Sequence, residues 1–410
     1  MHRMQARRVL IVLLLGELAL VASTWKLWFA DSQFPRVSLW MESTDVPVRL
    51  IQFVSTWLIA AILFALWRLN GRGLHMRDDG PPSADAPGLT AGGEVTYGRW
   101  LWLAVLAPAS LAACLNQHCL QPWHWLFLVA IGLRCGLESA DFLIVTRRLV
   151  GTIYLFAALS RLGPEIASGM SRQIVVTGLD LSSLSFGMNS SGVIFNLCVL
   201  TTVFEGTIGL MLMTTRMLKA GTVLAVVMHL ALILILGPVG LNQETGVLIW
   251  NGILCVLVVL LQMNSPPHIP ANRMRVIVAS AFCVLWPIFA LIGVTHNWTG
   301  WQVYSPRPEV LQLQVHADHT DDLPDSVAPF VAAPRPLEEW CDVRLDRWSL
   351  SETGTPLYPQ SGFQRAVAAL VTASITDVGA VRGRLDSPDV PFWWRRHATE
   401  YSKRSEFVAR

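Results

Sequence analysis

The sequence predicts an all-α polytopic membrane helical bundle of about nine transmembrane helices, followed by a small C-terminal α+β extracytoplasmic domain. Three observations predict it. Hydrophobic residues make up 53% of the 410 positions and charged residues only 15%, with a mean hydropathy of +0.46, whereas soluble domains carry about 25% charged residues. Apolar runs recur at close to the ~20 residues that a spanning helix needs. After His296 the composition shifts to charged residues, Pro-rich joints and alternating or amphipathic pieces.

Taken in order, the runs are 9–29, 50–68, 100–116, 122–137, 144–162, 192–214, 219–238, 246–263 and 275–295. The first follows MHRMQARR, a start like that of a signal peptide, but it continues to about Phe29 without a small-residue cleavage site, so it reads as a retained helix. Arg134, Glu138, Asp141, Arg147 and Arg148 interrupt the fourth and fifth runs and make them the weakest. Trp25, Trp28, Trp67, Trp100, Trp102, Trp123 and Trp125 stand near run ends, where an aromatic belt forms.

Lys and Arg alternate in density between successive loops. Arg3, Arg7 and Arg8, then Arg68, Arg72, Arg77 and Arg99, then Arg147 and Arg148, Arg216 and Lys219, and Arg273 and Arg275 fall on one side. That side is expected to be cytoplasmic, which places the N-terminus inside and the C-terminal domain outside a bacterial inner membrane. DDGPPSADAPGLTAGGE reads as a flexible cytoplasmic loop, and the Gly/Ser-rich stretch 163–192 as an external loop with a short amphipathic piece. In the C-terminal region EVLQLQVHA and VRLDRWSL read as strands, QSGFQRAVAALVTASI as a helix, and PFWWRRHATEYSKRSEFVAR as a basic helix with an aromatic start. The division expected is 1–99 for an N-terminal helix pair and cytoplasmic loop, 100–263 for the main bundle, 264–295 for the last span and 296–410 for the external domain. A net charge of +2 with no basic stripe points away from nucleic acid and leaves the lipid bilayer as the chief partner.

Ionisable groups inside apolar runs carry the functional signal. Glu17, Glu205 and His229 each lie well inside a run, and Arg161 closes the run LVGTIYLFAALSR. A charge in hydrocarbon costs several kcal/mol unless paired or hydrated, so these groups are either interhelical glue or a working site. Glu205 and His229 lie symmetrically about residue 217, each roughly 18 Å from that turn, which would set them level on antiparallel neighbours. Glu17 and Arg161 fall at comparable depths, so one layer could hold all four. Trp250 and Asn251 enter the eighth run, and Gln117 and His118 stand in the polar hairpin LNQHCLQPWHW. A buried Asn must find a partner, on a neighbouring helix or on a quinone-like carbonyl. Cys114, Cys119, His118 and His124 have no metal-site spacing, and no metal is expected. The Cys114/Cys119 spacing permits a disulfide without requiring one.

YLFAALSRLGPEIASG (154–169) followed by FEGTIGLMLM (204–213) resembles the DoxX/MauE-like redox-associated membrane proteins. The segment 154–169 and His229 are also similar to the horizontally transferred transmembrane (HTTM) region of vitamin-K-dependent carboxylases. The resemblance covers about residues 100–263 and implies a helical bundle with an outward-facing polar site and a quinone or thiol connection. In the carboxylases the Ala-rich helix ends in a lysine base, and the matching residue here is Arg161. Arginine stays protonated and cannot serve as that base, so a carboxylase-like lyase activity is disfavoured.

Two functional readings result. In the first, the protein is redox-associated: Glu205, His229 and Arg161 are the candidate catalytic residues, and Arg161, Trp250, Asn251, Gln117 and His118 the candidate binders of a cofactor, a quinone being the one considered. In the second, the bundle is a non-catalytic scaffold that anchors an external domain, 296–410, which binds an envelope protein. The residues leave open whether the protein is an enzyme.

Overall fold

A computed structural model describes residues 2–40, 46–71, 92–183, 190–263, 270, 272–389 and 395–408. The expected cytoplasmic loop 78–94 falls almost wholly outside the described residues, as does the aromatic start 391–394 of the final segment.

The bundle comprises α1 (His2–Ser23), α2 (Trp25–Phe29), α3 (Val48–Gly71), α4 (Gly92–Leu115), α5 (Pro122–Gly136), α6 (Ser139–Arg161), α7 (Gly169–Leu181), α8 (Ser191–Met213), α9 (Leu218–Leu236), α10 (Thr245–Gln262) and α11 (Arg273–Leu291). Seven of these, α3, α4, α6, α8, α9, α10 and α11, are long and apolar enough to cross a membrane. The two remaining expected spans differ for physical reasons. Arg7, Arg8 and Glu17 load α1 with charge, and the 15 residues of α5 extend only about 22 Å.

Apolar helices approach closely where their contact residues are small, and α6 and α8 show it. A Cβ on Gly209 would stand 2.7 Å from both the Gly151 carbonyl oxygen and the Leu155 nitrogen, and one on Gly206 would stand 3.3 Å from the Ala158 Cβ. Most of the span of α6 is buried, with α8, α11, α1, α5 and α10 packed around it. α1 in turn packs on α10, α6, α3 and α5, and Gln5 donates to the Leu260 carbonyl at 2.7 Å.

The C-terminal region forms β1 (Val310–His316), β2 (Trp340–Val343), α12 (Leu345–Thr353), α13 (Ser361–Val371), β3 (Val381–Pro388), β4 (Arg396–Tyr401) and α14 (Ser405–Val408). The sheet is antiparallel in the order β2-β1-β3-β4. Leu311, Leu313 and Val315 of β1 and Val381, Gly383 and Leu385 of β3 face the buried side, toward Phe363, Val367 and Phe407. β1 and α13 match the sequence expectation. VRLDRWSL does not: only its Val343 belongs to a strand, and Leu345 onward is α12, with Asp346 in the first turn and Leu345, Trp348 and Ser349 on one buried face. The final basic helix is also corrected. Arg396–Tyr401 is a strand because pairing with β3 satisfies its backbone.

The domain sits on one end of the bundle. Ser305 Oγ donates to the Ser160 carbonyl at 2.8 Å, and Arg307 Nη2 donates to the Leu159 and Leu162 carbonyls at 2.5 and 3.2 Å. A cation at a helix C-terminus complements its dipole, so Arg307 fastens the domain to the end of α6. Lys26 Nζ reaches the Ser351 carbonyl at 3.0 Å, and Asn297 Nδ2 the Pro359 carbonyl at 2.9 Å.

Candidate functional site

Glu17, His229, Asn251 and Tyr154 are buried in the half of the bundle beneath this domain, while Gln5, Asp141, Thr146 and Arg147 are buried toward the opposite end. Glu17 is six residues from the domain end of α1, His229 seven from that of α9, Asn251 six from that of α10 and Tyr154 seven from the end of α6, so each lies about 10 Å in. Of the four groups expected in one layer, Glu17 and His229 share this depth, whereas Arg161 is the last residue of α6, about 10 Å nearer the domain than Tyr154, and it is Arg161, not His229, that meets Glu205. Depth places residues along a helix, whereas rotation about the axis decides which neighbour each one faces.

Glu17 meets His124. His124 Nδ1 is 2.6 Å from Glu17 Oε1, and Nε2 is 3.0 Å from the Ala109 carbonyl. The ring is wholly buried and Glu17 is 2% exposed. A carbonyl only accepts, so Nε2 carries a hydrogen. The short Nδ1 contact holds a second hydrogen, either on the ring beside a carboxylate or on the carboxyl group. Either way one proton bridges α1 and α5, and the pair is neutral overall. Trp28 closes the site edge-on, its ring centroid 5.3 Å from that of His124.

His229 bridges Tyr154 and Asn251. Its Nε2 is 2.6 Å from the Tyr154 hydroxyl, and its Nδ1 is 2.9 Å from Asn251 Oδ1. Asn251 Nδ2 donates to the Val247 carbonyl at 2.8 Å, which fixes the amide with its oxygen toward the ring. Nδ1 therefore donates, and in the neutral ring Nε2 accepts the Tyr154 hydrogen. This chain ties α6, α9 and α10 together. Trp250 beside it is partly buried against the core.

Arg161 pairs with Glu205, while its Nε donates to the Ala157 carbonyl at 3.1 Å. The two side chains keep 12% and 18% of their exposure, so this is the least enclosed pair of the layer. α8 continues beyond it, and Ile194 and Cys198 of its first turns pack with Val175 of α7 and with Ile166 of the turn before it. Tyr304 lies close by. Burial pushes its phenol up to about 12, against the opposing influence of Arg161. Burial likewise draws Arg307 down to about 10.

Gln117 and His118 stand at the domain joint, away from His229. Gln117 Nε2 donates to the Ser38 carbonyl at 2.8 Å. His118 Nε2 lies 2.7 Å from the Pro356 carbonyl and 2.9 Å from Thr355 Oγ1. Phe34 sits against His118, Trp348 and Phe363, with ring centroids 5.5, 4.7 and 6.4 Å away. Cys114 and Cys119 are free thiols, and burial raises Cys119 above the usual thiol range.

Sequence reasoning did not find Tyr154, Thr355, Arg307 or Phe34, and it weighed His124 only as a metal ligand. Tyr154 lies in the middle of an apolar run with no local mark. The pairing of His124 did have a signal: it is the third residue of a helix starting at the domain end, in the same half of the bundle as the carboxylate on α1. Compared with protein-family models, curated proteins and solved structures, the chain matches none of them.

Proposed function

We propose that the protein is a nine-pass inner-membrane scaffold whose bundle holds the C-terminal domain in fixed orientation on the extracytoplasmic face, leaving the outer surface of the sheet open to an envelope partner. The observation that carries this is the state of the polar layer. Both ring nitrogens of His124 and of His229 are engaged, Arg161 meets Glu205, and His118 is bonded to the domain itself. Groups arranged in this way lock helices together and fasten the domain. Nine passes are supported by direction: α1, α3, α4, α5, α6, α8, α9, α10 and α11 alternate toward and away from the domain, with α1 and α5 completing what the seven long apolar helices leave. The Lys/Arg asymmetry supports the orientation. A reporter active only outside the cytoplasm should be active when fused after Arg410 and silent when inserted near Ala84. The reverse pattern would overturn the placement.

A second reading has one observation in its favour. The Tyr154–His229–Asn251 chain presents a single tautomer with a phenol on its acceptor nitrogen, an arrangement able to pass a proton. A redox role of DoxX/MauE-like type, with a quinone as partner, would use this chain, and it would require His229 to exchange Tyr154 or Asn251 for the ligand.

A further inference from the structure

The joint between bundle and domain is an uncharged aromatic cluster built around two histidines. His118 is 1% exposed, with Phe34 and Phe363 at centroid distances of 5.5 and 5.4 Å. The cluster continues through Tyr358, 5.5 Å from Phe363, to Trp298 at 5.0 Å and His296 at 5.8 Å. His296 Nδ1 is 2.9 Å from the Tyr358 hydroxyl. Because Pro356 offers a carbonyl, His118 Nε2 must carry the hydrogen. Its Nδ1 is buried without a hydrogen-bond partner. In the neutral ring that nitrogen holds a lone pair. In the protonated ring it would hold an N–H aimed among apolar groups, inside an interface that has already removed water.

We propose that this joint is an acid-released latch: protonation of His118 at Nδ1 detaches the 353–360 segment, and with it the C-terminal domain, from the end of the bundle. The inference rests on the docked-domain reading above. The charged and titratable groups around the ring come from every side. Arg36 donates to the Ala30 and Ser32 carbonyls, Glu17 is engaged with His124, Lys26 and Glu352 hold the rim at Ser351 and Gln33, and Tyr358 and His296 bond each other. Among the described residues, none of these is bonded to a ring nitrogen of His118, so none compensates a charge there. Attraction to the rings of Phe34 and Phe363 offsets less than burying an unpaired charge costs. Consistently, burial holds the His118 ring at about 4 against its ordinary 6.5, with the Pro356 bond opposing, and burial also lowers His296. For a group held neutral in this way, the docked state has its full stability above pH 6.5 and loses it as pH falls from 6.5 toward 4.

Hydrogen exchange on the full chain in lipid nanodiscs, corrected for intrinsic rates, tests this between pH 7.5 and 5.0. Protection at pH 7.5 of the Gln33 amide, which donates to Glu352 across the joint, and of the Leu120, Thr355 and Gln360 amides beside it establishes docking, and its absence would refute the docked domain itself. With docking in place, opening at these amides should rise roughly 30-fold at pH 5.0, while β1 and β3 amides keep their protection. His118→Gln, which retains a donor toward Pro356 and cannot titrate, should reduce that rise to under about fivefold, and His296→Gln should leave most of it. A flat wild-type response, an equal response in the sheet, an unaltered response in His118→Gln, or its loss in His296→Gln would each overturn the latch. If His118→Gln does not fold, the wild-type curve decides, since it must climb between pH 6.5 and 5.0.

Discussion

Replacing His124 with Leu is expected to destabilise the bundle by about 3–5 kcal/mol, the cost of leaving one partner of a buried pair alone. Glu17 would then be a carboxyl group at 2% exposure, its short contact with the ring gone. Replacing both residues with Leu should restore most of the loss, because apolar substitutes of similar volume are often neutral at such sites. Reversible unfolding in mixed micelles measures the three variants and gives a coupling of about 2 kcal/mol or more. Strict additivity would mean that Glu17 and His124 do not share a proton.

The second large effect concerns the α6–α8 contact. Gly209→Val should cost about 1–3 kcal/mol or more. The added Cβ meets backbone atoms of Gly151 and Leu155 at 2.7 Å, and backbone cannot swing aside. The helices would have to separate, straining the nearby Arg161–Glu205 pair as well. Gly252→Ala is the control: its Cβ would meet nothing within 4 Å, so its unfolding midpoint should stay near wild type. Equal midpoints for the two variants would show that α6 and α8 are not in close contact.

Much of the fold was legible because apolar run length is a direct consequence of bilayer thickness. The ends of α3, α6, α8, α9, α10 and α11 lie within a few residues of the runs read from composition. α5 matches the run 122–137 to within one residue, and Arg134 caps its end through the Leu137 carbonyl. In the C-terminal domain, the alternation in β1 was visible, but β3 carries Gly383 within the strand and ends at Ser387 and Pro388, residues that read as a turn until pairing with β1 and β4 supplies the reason. VRLDRWSL contains both a strand end and a helix, and only the chain direction after Arg344 separates them.

The candidate site was half legible. Ionisable residues in apolar runs marked the candidates, and of these Arg161 and Glu205 lie paired in the structure. The actual neighbours of His229 and Glu17 depend on helix rotation, which hydropathy does not encode in segments apolar on nearly all sides. Their bonds are nonetheless specific. Asn251 sets the His229 tautomer through its own bond to Val247, and the Ala109 carbonyl sets that of His124.

The proposed scaffold role requires that the polar groups serve the protein's own architecture rather than a bound quinone. Mass spectrometry of lipid-phase molecules that remain with the detergent-purified full chain tests it most directly, with Asn251→Leu measured alongside. The expected result is no quinone near one equivalent in either preparation, together with lower thermal stability in Asn251→Leu because His229 loses its acceptor. A quinone present at about one per chain in the wild type and lost in Asn251→Leu would contradict the claim and establish the redox reading instead.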